Sequence, residues 1–129
     1  MEDSGLPEAL RHFIEIHIKS VASLEALLLL RASPSRQWTP EELSQEMRSN
    51  PFHAASLLDE LASKGLLLVQ KNPDKKVYSL ENNNPELLSR VEQLHEAYLH
   101  RRLSVINQIY FQPVDKLRSL ADAFKIRKE

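Results

Sequence analysis

The sequence predicts a mainly α-helical domain carrying one small β-hairpin, and three observations lead to that class. A capping residue followed by proline, the local chemistry of a helix start, recurs at Thr39-Pro40, Asn50-Pro51 and Asn84-Pro85. Between these starts the apolar residues return every three or four positions, the period of a half-buried helix. The exception lies after Gly65, where two short apolar runs flank the polar stretch Lys71-Asn72-Pro73-Asp74-Lys75-Lys76, as strands flank a turn. With 129 residues the chain can close one domain around a core but not two ordinary ones.

Taken in order, a first helix is expected from Pro7 to Lys19, with Leu10, Phe13, Ile14, Ile16 and Ile18 apolar. Ile14, Ile16 and Ile18 also alternate as a strand would, but no turn residue interrupts the segment, which favours helix. Ser20 then caps a helix from Val21 to Arg31 whose leucines wrap widely, the mark of a central core helix. Ala32-Ser33-Pro34-Ser35 breaks it. Thr39, Pro40 and Glu42 form a capping box opening a helix to about Arg48. Asn50 and Pro51 open the next, which runs to Lys64 with Gly65 as its left-handed terminator. Ala54, Ala55, Leu58, Leu61 and Ala62 mark its inner side. Two short helices so closely joined make a helix-turn-helix, and the hairpin of Leu66 to Gln70 and Val77 to Leu80 is its wing. A long helix from Pro85 to about Tyr110 follows, its stripe of Leu87, Val91, Leu94, Tyr98, Val105 and Ile109 interrupted near Arg101 and Arg102. Leu88, Leu99, Leu103 and Ile106 lie beside that stripe. A last short helix is expected from Val114 to Ile126. The organisation is thus an N-terminal helix in 1–19, a winged helix-turn-helix domain in 20–81 and a C-terminal helical packing or dimerisation region in 84–129.

Composition removes several classes of function. No cysteine is present, so disulfides and thiolate metal sites are excluded. Gly5 and Gly65 are the only glycines, too few for a phosphate-cradling loop. His12 and His17, like His95 and His100, are five apart, which turns each pair about 140° around a helix rather than onto one face. Glu92 and His95 have the spacing of a carboxylate-bridged metal site, but such sites need two such pairs and further carboxylates. No nucleophile elbow occurs, and no convergent set of acid, base and metal ligands is visible, so the reading is a non-enzyme with no metal and no cofactor. The acidic start MEDSGLPEAL lacks the basic and apolar regions of a signal peptide. The longest apolar run, Ala26 to Leu30, is far short of the ~20 residues that span a bilayer. A cytoplasmic protein without a membrane partner is expected.

From Ser20 to Leu80, the order helix, short strand at Trp38, helix, helix closing on Lys64-Gly65-Leu66-Leu67, and hairpin with Lys75-Lys76-Val77-Tyr78 resembles the bacterial winged-helix transcriptional regulators of the MarR, PadR and ArsR types. The resemblance implies a homodimer on double-stranded DNA. The helix opening at Pro51 would enter the major groove with His53, Ser56, Glu60 and Leu57 outward. Arg48, Ser49 and Asn50 would meet phosphates at its start, and the wing lysines Lys71, Lys75 and Lys76 the adjacent backbone or minor groove. The long helix would pack its stripe on the first helix of its own chain or pair with a second copy; a homodimer would do both, with Leu87, Val91, Leu94, Tyr98, Val105 and Ile109 as its interface.

Charge complicates this expectation. The 17 basic and 18 acidic residues leave a net charge of −1, with a pI near 6.5. From Arg36 to Leu80 six basic residues face six acidic ones, which gives counterion release little to work with unless the basic side is sorted onto one surface. The outward face of the Pro51 helix offers none of the Arg, Lys, Asn or Gln that commonly read base edges, and Asp59 and Glu60 make it acidic. A protein-binding adaptor built on the same fold is therefore the alternative. Two further features carry double readings. Trp38 is a core plug between wing and helices or a ligand-stacking residue, with the plug preferred. Lys75-Lys76 either keeps a hairpin edge soluble or contacts phosphate.

Overall fold

The structure, a computed structural model, describes residues 5–111. Its elements are α1 (Glu8–His17), α2 (Val21–Ala32), α3 (Pro40–Met47), α4 (Pro51–Ser63), β1 (Leu67–Asn72), β2 (Lys75–Leu80), α5 (Pro85–His100) and α6 (Arg102–Phe111). The helix expected over Val114 to Ile126 lies outside the described residues.

Burial resolves the ambiguity of α1 in favour of helix. Leu10, Phe13 and Ile14, spaced by three and one, face inward, whereas Ile16 is 49% exposed. The helix stops at His17, two residues before the expected end, because Ile18 takes an extended conformation that feeds its side chain into the core. Ser20 then caps α2, its hydroxyl oxygen accepting from the Ser23 N–H at 3.0 Å. α2 is the central helix: Leu24, Ala26, Leu27 and Leu30 are fully buried. It packs against α4, α5 and β2. Each such leucine withdrawn from water contributes roughly 2 kcal/mol, so this helix is a main anchor of the domain.

The hairpin is longer and tighter than the apolar runs suggest. β1 and β2 pair antiparallel from Leu67 with Leu80 out to Asn72 with Lys75, leaving only Pro73 and Asp74 as the turn. The lysines expected in a loop therefore stand on paired strands. A third, single-bridge strand comes from Trp38. Its N–H donates to the Tyr78 carbonyl at 2.7 Å, and the Tyr78 N–H donates back at 2.8 Å. Trp38 is 2% exposed and lies in the core, the plug the sequence favoured.

The long C-terminal helix is two helices. Arg101, at φ −138° and ψ 51°, leaves the helical region between α5 and α6. The ladder survives the bend, because the Arg101 N–H donates to Ala97 O and its own carbonyl accepts from the Val105 N–H at 3.1 Å. The bend lets α6 follow α1, to which Gln108 Nε2 donates through Glu15 Oε2 at 3.0 Å. α5 is tied to α2 by a two-pronged contact from Arg31 to Glu92, both arms 2.8 Å.

Within one chain the expected interface stripe already has partners. Val91, Leu94, Val105 and Ile109 are all buried in the chain's own core, and Leu87 and Tyr98 pack half-buried against it. The sequence pattern identified an inward face, and the chain fills that face itself. Among the described residues of the terminal helices, the large apolar side chains left exposed are Ile16, Leu99, Leu103 and Tyr110.

Candidate nucleic-acid interface

The candidate site is built on the turn between α3 and α4. α3 opens with the capping box the sequence predicts: Thr39 Oγ1 accepts from the Glu42 N–H at 3.2 Å, and Glu42 Oε1 accepts from the Thr39 N–H at 3.1 Å. It ends at Arg48, the one non-glycine residue with positive φ among those described (φ 56°, ψ 45°). The Ser49 N–H reaches back to Ser44 O at 2.9 Å, closing a turn in which glycine is the usual occupant. Holding an arginine there costs on the order of 1 kcal/mol. Arg48, Ser49 and Asn50 are all exposed.

Asn50 caps α4. Its Oδ1 accepts from the His53 N–H at 2.8 Å, so the carboxamide is committed to the helix end. Pro51 occupies the first helical position. At the far end the Gly65 N–H donates to Ala62 O and the Leu66 N–H to Leu61 O, the paired bonds of a left-handed terminator at φ 83°. Ala54, Leu57, Leu58 and Leu61 are buried.

His53 and Ser56 lie on the outward side, as expected, but Leu57 and Glu60 do not stand free. Leu57 is 4% exposed, because it falls next to Leu58 and Leu61 on the wide apolar face that meets the core. Glu60 is half-buried toward α2 and accepts from the buried Ser23 hydroxyl at 3.4 Å. The neighbouring Asp59 is also engaged. Its Oδ1 accepts from the Tyr78 hydroxyl at 2.5 Å and lies 3.5 Å from Lys76 Nζ. Burial first, and then the Asp59 bond and charge, push the Tyr78 phenol well above its ordinary range.

Lys71, Lys75 and Lys76 are exposed on the wing. Lys71 stands directly across from Lys76, a like-charge pair that opposes strand pairing unless an anion relieves it. Lys76 is partly neutralised by Asp59, so Lys71 and Lys75 carry the less compensated charge. At the base of the wing the Gln37 and Gln70 side chains join at 2.8 Å. The Arg36 guanidinium lies 3.5 Å from the centre of the Trp38 ring, an attractive cation–aromatic geometry.

One outward residue escaped the sequence reading. Phe52, the second residue of α4, is 90% exposed, the most exposed large apolar side chain described. The signal was present: Phe52 sits about 160° around the helix from Ala54, off the apolar stripe altogether.

No protein-family profile matches the sequence, and no curated protein does. Solved structures do resemble the fold. A mutant MarR from E. coli is 19% identical over 94% of this chain and 86% of its own, with a TM-score of 0.52. A MarR family transcriptional regulator from Streptomyces coelicolor is 20% identical over 91% of this chain and 83% of its own, with a TM-score of 0.55. The E. coli mutant complexed with operator DNA gives 20%, 89% and 81%, with a TM-score of 0.52. These coverages extend beyond the helix-turn-helix and wing to the terminal helices, so this chain has the winged helix-turn-helix fold that these MarR regulators share.

Proposed function

We propose that the protein is a cytoplasmic, homodimeric transcriptional regulator that binds double-stranded DNA, with α4 in the major groove and the wing on the adjacent backbone. The observation that carries this reading is a pairing of two elements. The outward N-terminal turn of α4 and a hairpin tipped with Lys71, Lys75 and Lys76 are tied together through Asp59, Tyr78 and Lys76. The like-charge pair Lys71 and Lys76 suits a phosphate, as does an exposed arginine held in a left-handed turn ahead of α4. A structure of the same fold binds operator DNA. The adaptor alternative drew on an acidic α4, but both of its central carboxylates, Asp59 and Glu60, have partners within the chain. The role is binding rather than catalysis.

Fluorescence anisotropy with duplexes from the protein's own upstream region and from unrelated sequence, across a salt series, tests this. The wild type should prefer the upstream duplex and weaken steeply as salt rises. Lys75→Glu/Lys76→Glu should bind about a hundredfold more weakly at ~50 mM salt, with a shallower salt slope. An absence of wild-type binding at ~50 mM salt would overturn the reading.

The dimer is assigned to the side chains the fold leaves over, Leu99 and Leu103, rather than to the buried stripe. Leu103 is 74% exposed and Leu99 61%. Leu99→Glu/Leu103→Glu should run as a monomer in sedimentation while keeping its helical circular dichroism. It should also lose roughly tenfold or more in affinity for a duplex with two half-sites, because the second half-site no longer binds intramolecularly. A variant that remains dimeric places the interface elsewhere.

A further inference from the structure

We infer that Phe52 is a specificity-determining residue that reads the 5-methyl group of a thymine in the major groove; this rests on the DNA-binding reading above. A phenyl group 90% exposed on a soluble domain forgoes the gain from burial that its apolar neighbours collect. It lies in the first turn of α4, the part of such a helix that meets base edges. Helical side chains lean toward the N-terminus of their helix, so the ring is carried toward the leading end of α4. The helix beneath is held firmly by Leu57, Leu58 and Leu61 in the core and by Asp59 on the wing, so the ring is presented from a fixed base.

The polar groups around Phe52 explain why the contact is apolar. Asn50, whose side chain could otherwise pair with adenine through both carboxamide atoms, has its oxygen bound to the His53 N–H. Pro51 has no N–H to offer. Between Pro51 and Ser63 the helix has no arginine, lysine, asparagine or glutamine. Of the features that distinguish base pairs in the major groove, the one a phenyl ring can recognise is the thymine methyl, which no other standard base carries. An apolar reader on a cation-free helix resolves the difficulty raised by its sequence: the helix discriminates by shape and methyl contact, while the cations sit on the wing and ahead of the helix.

The full-length protein is used to select duplexes from a random pool, and each thymine of the selected site is then replaced in turn by deoxyuridine, which removes only the methyl. The wild type should lose about fourfold in affinity at one thymine of each half-site, the worth of one methyl group, and on the order of tenfold when both are replaced. Phe52→Ala should bind the thymine and deoxyuridine duplexes equally at that position, and Phe52→Leu should keep part of the difference. Thermal unfolding of both variants should match the wild type, as the side chain is exposed. Equal binding of thymine and deoxyuridine duplexes by the wild type overturns the inference and leaves the DNA-binding reading intact. The same holds if Phe52→Ala retains the full difference. Selection that enriches no duplex, with no salt-sensitive binding, overturns both.

Discussion

α4 has no lysine or arginine between Pro51 and Ser63, whereas the hairpin that follows places three lysines among the six residues from Lys71 to Lys76. The helix buries Ala54, Leu57, Leu58 and Leu61 and is fixed at both ends by caps; the tip of the hairpin is exposed. One element is rigid and nearly free of cations, the other cationic and only lightly packed. In the proposed DNA complex these materials would serve different ends. Phosphate contacts from the wing supply affinity without reading sequence, and they fade with salt. Base contacts from a firmly held helix supply little attraction but discriminate. On that proposal the near-zero charge balance of the domain would follow from a division of labour, with the acids Asp59 and Glu60 holding α4 to the wing and to α2.

Outside the wing, Arg48 is the single position at which that division can be broken with the largest expected effect. It is the cation that immediately precedes α4, and its backbone occupies a conformation that suits glycine. Arg48→Gly removes the side chain and relieves the strain together, so stability and binding should move in opposite directions. The thermal midpoint should rise by a degree or two, from up to about 0.5 kcal/mol of stabilisation left after the extra freedom glycine adds to the unfolded chain. Affinity at ~50 mM salt should fall about fivefold to tenfold, as expected for a lost phosphate contact. A stabilised variant with unchanged affinity would mean that the helix side of the interface has no cation at all, which makes the contrast with the wing sharper still.

The same contrast governs what could be read before the structure. Helix starts were legible at Ser20, Thr39, Asn50 and Asn84, because a cap is local chemistry between a side chain and an N–H three residues on. The Gly65 terminator was legible for the same reason. The hairpin was recognised but drawn too short. Polar residues at an exposed tip can pair their backbones without leaving an apolar alternation, so the lysines read as loop. The C-terminal stripe was correctly seen as a buried face, but periodicity cannot say whose surface covers it, and α1 and α2 of the same chain do. The bend at Arg101 appeared only as an interruption in the heptads. Tertiary partners were illegible: nothing in the spacing of Asp59, Lys76 and Tyr78 announces that they meet. Phe52 escaped the reading although it lies off the stripe, because its meaning depends on knowing that the fold leaves it 90% exposed.

The smallest effect concerns the joint between the two elements. Tyr78 is 2% exposed, and its hydroxyl donates to Asp59 on α4. Only the neutral phenol can donate, and burial with the adjacent carboxylate raises its titration far above the ordinary ~10. Below that value the bond contributes its full stability. As pH rises through ~10 the unfolded chain releases this proton while the folded chain keeps it, so the contribution declines by up to about 1.4 kcal/mol per pH unit until the folded group also ionises. Tyr78→Phe should be about 1 kcal/mol less stable than wild type near neutrality, measured by urea denaturation. That deficit should be cancelled as pH rises from ~9 to ~11. Its effect on DNA affinity should stay under about twofold, because Lys76 remains beside Asp59 and the main-chain bridge from Trp38 to residue 78 still holds the wing. A deficit constant across that range would mean that the hydroxyl does not lock α4 to the wing, and that helix and hairpin are joined by the Lys76–Asp59 pair, backbone and core packing instead.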